Sequence, residues 1–316
     1  MIPFTGLSFQ LPFVQVGRHH VRSMTRIELR RGGGEPVDFA RTLLSHGVAE
    51  LVPNVVAEDG SALETVLPAG GRAWVVRVTP DGTHARIDVH EDAPIDALAP
   101  VIRHMFRLDD DLSPFYARAA EDPELAWAAT GAGRILRSPT VFEDLVKTIC
   151  TTNCTWSATL RMVGAIVAVL GEPAVEAPDR HTFPSAGVLA DAGDDFYTST
   201  AKTGYRGAYL RSIATDVAEG RLDLEALADP AHSDDEVAER LLALPGVGPY
   251  ACAHMMMLLG RYGRLILDSW TRPTYRRIAS RPRVTDKGIE KAFRRYREYA
   301  GLAFWLMLTR DWVPAA

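Results

Sequence analysis

The chain has little cysteine, no long apolar run and no surplus of positive charge. Its 316 residues include three cysteines, Cys150, Cys154 and Cys252. These are too few for a disulfide framework and cannot supply the four thiolates that hold an iron–sulfur cluster. No eighteen consecutive residues are apolar, as a bilayer-crossing helix requires, and no basic segment followed by a long apolar one opens the chain. A soluble, cytoplasmic protein with no membrane partner is expected. The formal net charge is −5, from 35 Lys+Arg against 40 Asp+Glu, which excludes a protein that coats nucleic acid by bulk electrostatics. What is present is a 47% hydrophobic chain, enough for a sizeable core in two or three structural units. Its charge is uneven: residues 261–297 hold twelve basic side chains and three acidic ones, a binding surface or a solvated helix face.

Read in order, residues 1–92 have β character. Ile27 and Leu29 alternate with charged neighbours, and residues 74–79 and 85–89 flank the turn Pro80-Asp81-Gly82 as a hairpin. A helix is expected near 37–44, and His19 and His20 read as surface residues at a strand end. Beyond Asp92 the period becomes helical, with Ile95, Leu98, Val101, Ile102, Met105 and Phe106 on one face. Phe106, Phe115, Tyr116 and Trp127 read as core. Residues 138–143 suggest a capping box before a helix, a polar kink at 151–156 follows, and a long helix then places Leu160, Val163, Ile166, Val167 and Leu170 on one side. The fold class is therefore α+β: an N-terminal antiparallel β-sheet domain with helices (1–92), then a mostly helical domain (93–316) in two helical subdomains.

Residues 233–283 organise the rest. Ser233 and Glu236 form a capping box, so a helix starts near Asp234 with Val237, Leu241 and Leu242 buried, and it breaks at Pro245. Gly246 and Gly248 turn the chain into a second helix from Pro249 to about Leu259. Such a hairpin, spanning 234–260, leaves amides at the second helix's start for an anionic oxygen such as a phosphate. It is equally the form of an ordinary helix connection. After the apolar Leu265-Ile266-Leu267 comes Asp268, followed by a basic helix; its carboxylate could act in catalysis or simply cap that helix. Met255, Met256 and Met257 read as core, and His254 as a packed histidine.

Leu244-Pro245-Gly246-Val247-Gly248, with Asp268 twenty residues on, resembles the helix-hairpin-helix DNA glycosylase superfamily, most closely the bacterial 3-methyladenine (alkylpurine) type. The resemblance covers residues 133–316 well and the N-terminal part loosely. It implies a monofunctional glycosylase of base excision repair that acts, as a monomer, on a damaged base in double-stranded DNA. Asp268 would be the catalytic carboxylate, and Gly246, Val247 and Gly248 would grip a DNA phosphate. Asn153 would enter the space left by the extruded base, and Arg272 would contact DNA. Tyr250 stands where the bifunctional members carry the imine-forming lysine, so no lyase activity is expected. Tyr250 and Trp305 would stack on the base, which suits cationic alkylated purines. Phe304 stands where the 8-oxoguanine enzymes use a glutamine. Backbone carbonyls of Leu242, Leu244 and Val247 would hold a structural sodium or potassium ion, with no other cofactor. An 8-oxoguanine or deaminated-base enzyme of the same superfamily, and a damage-binding protein without catalysis, are the competing readings.

Overall fold

The computed structural model describes residues 22–29 and 35–313; His19 and His20 lie outside them. Five strands, β1 (Arg22–Glu28), β2 (Val55–Val56), β3 (Leu63–Ala69), β4 (Arg72–Asp81) and β5 (His84–His90), form one antiparallel sheet in the order β1-β5-β4-β3-β2. Val78 faces Ile87 and Pro80 faces Ala85, so the expected hairpin joins β4 to β5. Alternation puts Trp74, Val76 and Val78 of β4 and Ala85, Ile87 and Val89 of β5 into a buried face. Helix α1 (Phe39–Leu43) contributes Phe39 and Leu43 to this core. Helix α2 (Ile95–Met105) adds Leu98, Ile102 and Met105, each worth about 1.5–3 kcal/mol of burial.

The second core is helical. It is built by α3 (Ser113–Ala120), α4 (Val141–Thr151), α5 (Trp156–Leu170), α6 (Ala186–Asp191), α7 (Arg206–Ala218), α8 (Asp234–Leu242), α9 (Pro249–Leu258), α10 (Thr271–Ile278), α11 (Asp286–Phe293) and α12 (Ala300–Thr309). None of the described helices is long and apolar enough to cross a membrane. Two buried arginines join the cores. Arg134, with a fully buried side chain, donates to the carbonyls of Arg107 and Asp110 and pairs with Glu35 at 3.2 Å. Arg107 pairs with Asp110 and donates to the Leu258 carbonyl at the C-terminal end of α9.

Three expectations need correction. Leu242, the last residue of α8, is 45% exposed; the buried face runs through Val237, Ala238 and Leu241 instead. Leu160 is likewise 45% exposed, because α5 turns Thr159, Met162 and Val163 inward at that level. The expected capping box at α4 is half formed. Thr140 accepts from the Glu143 amide, but the Glu143 carboxylate turns inward to Lys147 at 2.6 Å, and Glu225 caps the Val141 amide.

Candidate active site

Helix α8 begins at a complete capping box: the Ser233 amide donates to Glu236 Oε2 at 2.8 Å and the Glu236 amide to Ser233 Oγ at 3.3 Å. The chain then reverses through Leu244–Gly248, with the Val247 amide donating to the Leu244 carbonyl at 3.2 Å. Gly246 has φ 82°, and a Cβ there would meet the Tyr209 ring at 2.8 Å, so conformation and close packing both require glycine. Gly248, the N-cap of α9, brings no side chain to cap the first amides; it and Pro249 are exposed. Val247 is buried and anchors the turn.

Asp268 follows Ile266, which is buried, and is itself only half-buried. Its Oδ1 accepts from the Trp270 amide at 2.8 Å and the Thr271 amide at 2.7 Å, while its own amide donates to Thr271 Oγ1 at 2.8 Å. The carboxylate thus caps α10 with one oxygen; Oδ2 makes no hydrogen bond among the described residues. Capping and availability for chemistry coexist in the same side chain. Burial raises the Tyr250 phenol above its ordinary value, a bond to Thr151 lowers it, and the nearby Asp268 charge raises it again. Asp268 and Tyr250 are therefore electrostatic neighbours. A phenol held neutral in this way has no nitrogen with which to form an imine.

Tyr250 Oη lies 3.2 Å from Thr151 Oγ1 at the end of α4, which ties the hairpin to the α4–α5 turn. Asn153 sits exposed in that turn at φ 47° and donates through Nδ2 to Tyr205 Oη at 3.4 Å. Tyr205 is 54% exposed, with the Arg206 guanidinium 4.7 Å above its ring. Arg206 is buried and donates to the Thr152 and Thr203 carbonyls, clipping the turn to the start of α7. The exposed Tyr205 was not singled out from sequence. An aromatic residue opening an amphipathic helix was the available signal.

Trp305 is largely buried, its Nε1 donating to the Ser45 carbonyl at 2.7 Å. It packs against Trp270 and Trp312 at 5.7 and 6.0 Å, so a cluster of three indoles stands two residues beyond Asp268. Trp270, half-buried, was another residue missed from sequence. Phe304 is fully buried between Tyr275 and Phe293, so its identity bears on packing rather than on base selection. Met255, Met256 and Met257 are core, as expected.

His254 is buried beside Tyr250 and meets His46, which precedes the short turn Gly47–Glu50. Burial pushes His254 down to about 3, with a small contribution from His46. Burial likewise takes His46 and His104 down to about 4. Each folded value lies below the ordinary 6.5, so the stability these groups contribute is whole above pH 6.5 and is lost as pH falls toward 4 and 3. Asp144 acts in the opposite sense: burial raises it to about 6, so its contribution is lost as pH rises from 3.8 through 6. Burial also raises Glu35, Glu50 and Glu225, in the same sense as Asp144, but the three histidines carry the larger shifts and set the direction. The melting temperature is expected to drop between pH 7 and 4.5, and His254→Phe to reduce that drop; a flat profile would contradict the assignment.

Arg272 pairs in two-pronged fashion with Asp286 at 2.8 and 3.0 Å, so its charge is matched within the protein. Arg276, Arg277, Arg281, Arg283 and Lys287 are exposed and make no ion pair among the described residues. Among the described residues the carbonyls of Leu242 and Val247 accept no amide, and that of Leu244 accepts from Val247. Neutral carbonyl oxygens suit a hard cation. No group of three or more His, Cys, Asp or Glu side chains suited to a metal ion occurs among the described residues.

No sequence-family profile and no curated protein matches the chain. Solved structures do. The 3-methyladenine DNA-glycosylase of Archaeoglobus fulgidus superposes with a TM-score of 0.70 at 20% identity, over 92% of this chain and 100% of that one. The 8-oxoguanine glycosylase/lyase of Clostridium acetobutylicum gives 0.64 at 21% identity, over 83% and 92%. The same enzyme in complex with double-stranded DNA gives 0.64 at 20%, over 84% and 92%. An antiparallel sheet beside a helical unit, with the hairpin and aspartate in sequence order, gives this chain the fold of the helix-hairpin-helix DNA glycosylases.

Proposed function

We propose that this protein is a monofunctional DNA glycosylase of base excision repair, which hydrolyses the N-glycosidic bond of an alkylated purine flipped out of duplex DNA. One observation carries the reading: Asp268 is anchored through Oδ1 to two amides and keeps Oδ2 free of hydrogen bonds among the described residues, with its charge near enough to Tyr250, at the exit of the hairpin, to help raise that phenol. Loss of the base develops positive charge on the sugar, and a fixed carboxylate beside the anomeric carbon stabilises that charge and orients water. A purine alkylated on a ring nitrogen is already a good leaving group, so no general acid is needed. Its cationic ring is attracted to the faces of Tyr250 and of the Trp270–Trp305 pair.

Amides at the start of α9 take a phosphate, and the carbonyls of Leu242, Leu244 and Val247 would hold a sodium or potassium ion, which would add positive charge beside it. Asn153 and Tyr205, set side by side by Arg206, fill the gap left in the duplex. Arg272 supports this face through Asp286, and unpaired arginines of α10 and beyond meet the backbone. The protein acts as a monomer.

The test is a panel of duplexes bearing 3-methyladenine, hypoxanthine or 8-oxoguanine. The expected result is free alkylated base and an abasic site that breaks only in alkali. Strand cleavage without alkali would favour a glycosylase/lyase. Binding with no product would favour a damage-binding protein.

A further inference from the structure

We propose that Asp286 is a positioning residue for the reaction: it draws the Arg272 guanidinium onto itself and so leaves the Asp268 carboxylate uncompensated, free to stabilise positive charge on the sugar. The inference deepens the glycosylase reading above and rests on it. An aspartate and an arginine four positions apart on a helix are neighbours and favour pairing. Asp268 and Arg272 have this spacing, and the turn that opens α10 closes between them, the Arg272 amide donating to the Asp268 carbonyl at 3.4 Å. The two side chains nevertheless stay apart. Arg272 donates through Nε and Nη2 to Oδ1 and Oδ2 of Asp286 at 2.8 and 3.0 Å, while Asp268 Oδ2 accepts no hydrogen bond among the described residues.

Asp286 is fixed where this capture takes place. It is the first residue of α11, whose N-cap Thr285 accepts from the Gly288 amide at 3.1 Å, and a carboxylate there is favoured by the helix dipole. Ile289 is buried, and Phe293 at the far end of α11 meets Tyr275 of α10 with ring centroids 5.6 Å apart, so the two helices are packed together. The bond to Asp286 raises the Arg272 guanidinium above its ordinary value, and the Asp268 charge adds to this, so the cation stays within electrostatic reach of Asp268 while held away from it. The same bond keeps the Asp286 carboxyl below its usual range. Released from Asp286, Arg272 has Asp268 one helical turn away. A salt bridge there would offset the charge that the transition state needs.

Duplexes carrying a cationic pyrrolidine or a neutral tetrahydrofuran in place of one nucleotide report the uncompensated charge as a ratio of two affinities. In Asp286→Asn the preference for the cationic duplex is expected to fall about fivefold below wild type, the worth of an exposed ion pair, and in Asp286→Asn with Arg272→Met to return to within about twofold. Asparagine keeps the size of the side chain at the start of α11 and removes its charge. A merely structural loosening of α11 would shift both affinities together and leave the ratio as it was. A wild-type ratio in Asp286→Asn, or a lowered ratio that Arg272→Met does not restore, overturns the proposal. A wild type that binds the two duplexes equally overturns instead the glycosylase reading on which it rests.

Discussion

Asp268→Asn is expected to lower base release by at least about 10²–10³-fold while duplex binding persists. The argument lies in the two oxygens. Oδ1 accepts from the Trp270 and Thr271 amides, and an asparagine Oδ1 can make both bonds, so the start of α10 and the neighbouring indoles stay in place. What is removed is the charge and the unpaired Oδ2. The variant therefore separates capping, which asparagine performs, from stabilisation of a cationic sugar, which it does not. Single-turnover release and a binding titration measure the two; release at the wild-type rate would show that Asp268 only caps.

The largest effect on stability is expected at Lys147. Its side chain is fully buried, paired with Glu143 at 2.6 Å and within 3.4 Å of the Leu51 carbonyl and Ser138 Oγ. Lys147→Met leaves the Glu143 charge buried without compensation, a loss of about 3–5 kcal/mol. Replacing both partners, Glu143→Leu with Lys147→Met, removes the stranded charge and is expected to recover most of it. Urea unfolding of the single and double variants measures this. A single variant within about 1 kcal/mol of wild type would show that removing Lys147 strands no buried charge. Activity should suffer too, since Lys147 lies one turn before Thr151, the residue that holds Tyr250.

Local signals in the sequence carried far. The Ser233–Glu236 box, the glycine turn, Pro249 and the β4–β5 hairpin each rest on chemistry within a few residues, and each forms where the spacing predicts. Periodicity failed twice: Leu242 ends α8 where that helix leaves the core, and Leu160 lies within α5 on the side turned away from buried Thr159, Met162 and Val163. Contacts between distant segments were not legible at all. Ser45 and Trp305 are 260 residues apart, and His46 meets Leu136 across 90. Neither pairing leaves a mark in composition or period. The same holds for Arg206, whose bonds to Thr152 depend on how α7 docks against the α4–α5 turn. Asp268 and Tyr250 were singled out through the family resemblance, and their electrostatic closeness emerged only from the fold.

The account centres on a carboxylate that stabilises positive charge on a flipped-out sugar. Its most direct test is the affinity for duplex DNA carrying a cationic pyrrolidine abasic analogue, compared with a neutral tetrahydrofuran one. Wild type is expected to prefer the cationic duplex by about 10²-fold or more, and Asp268→Asn to lose that preference. Equal affinity of the wild type for the two duplexes would contradict it.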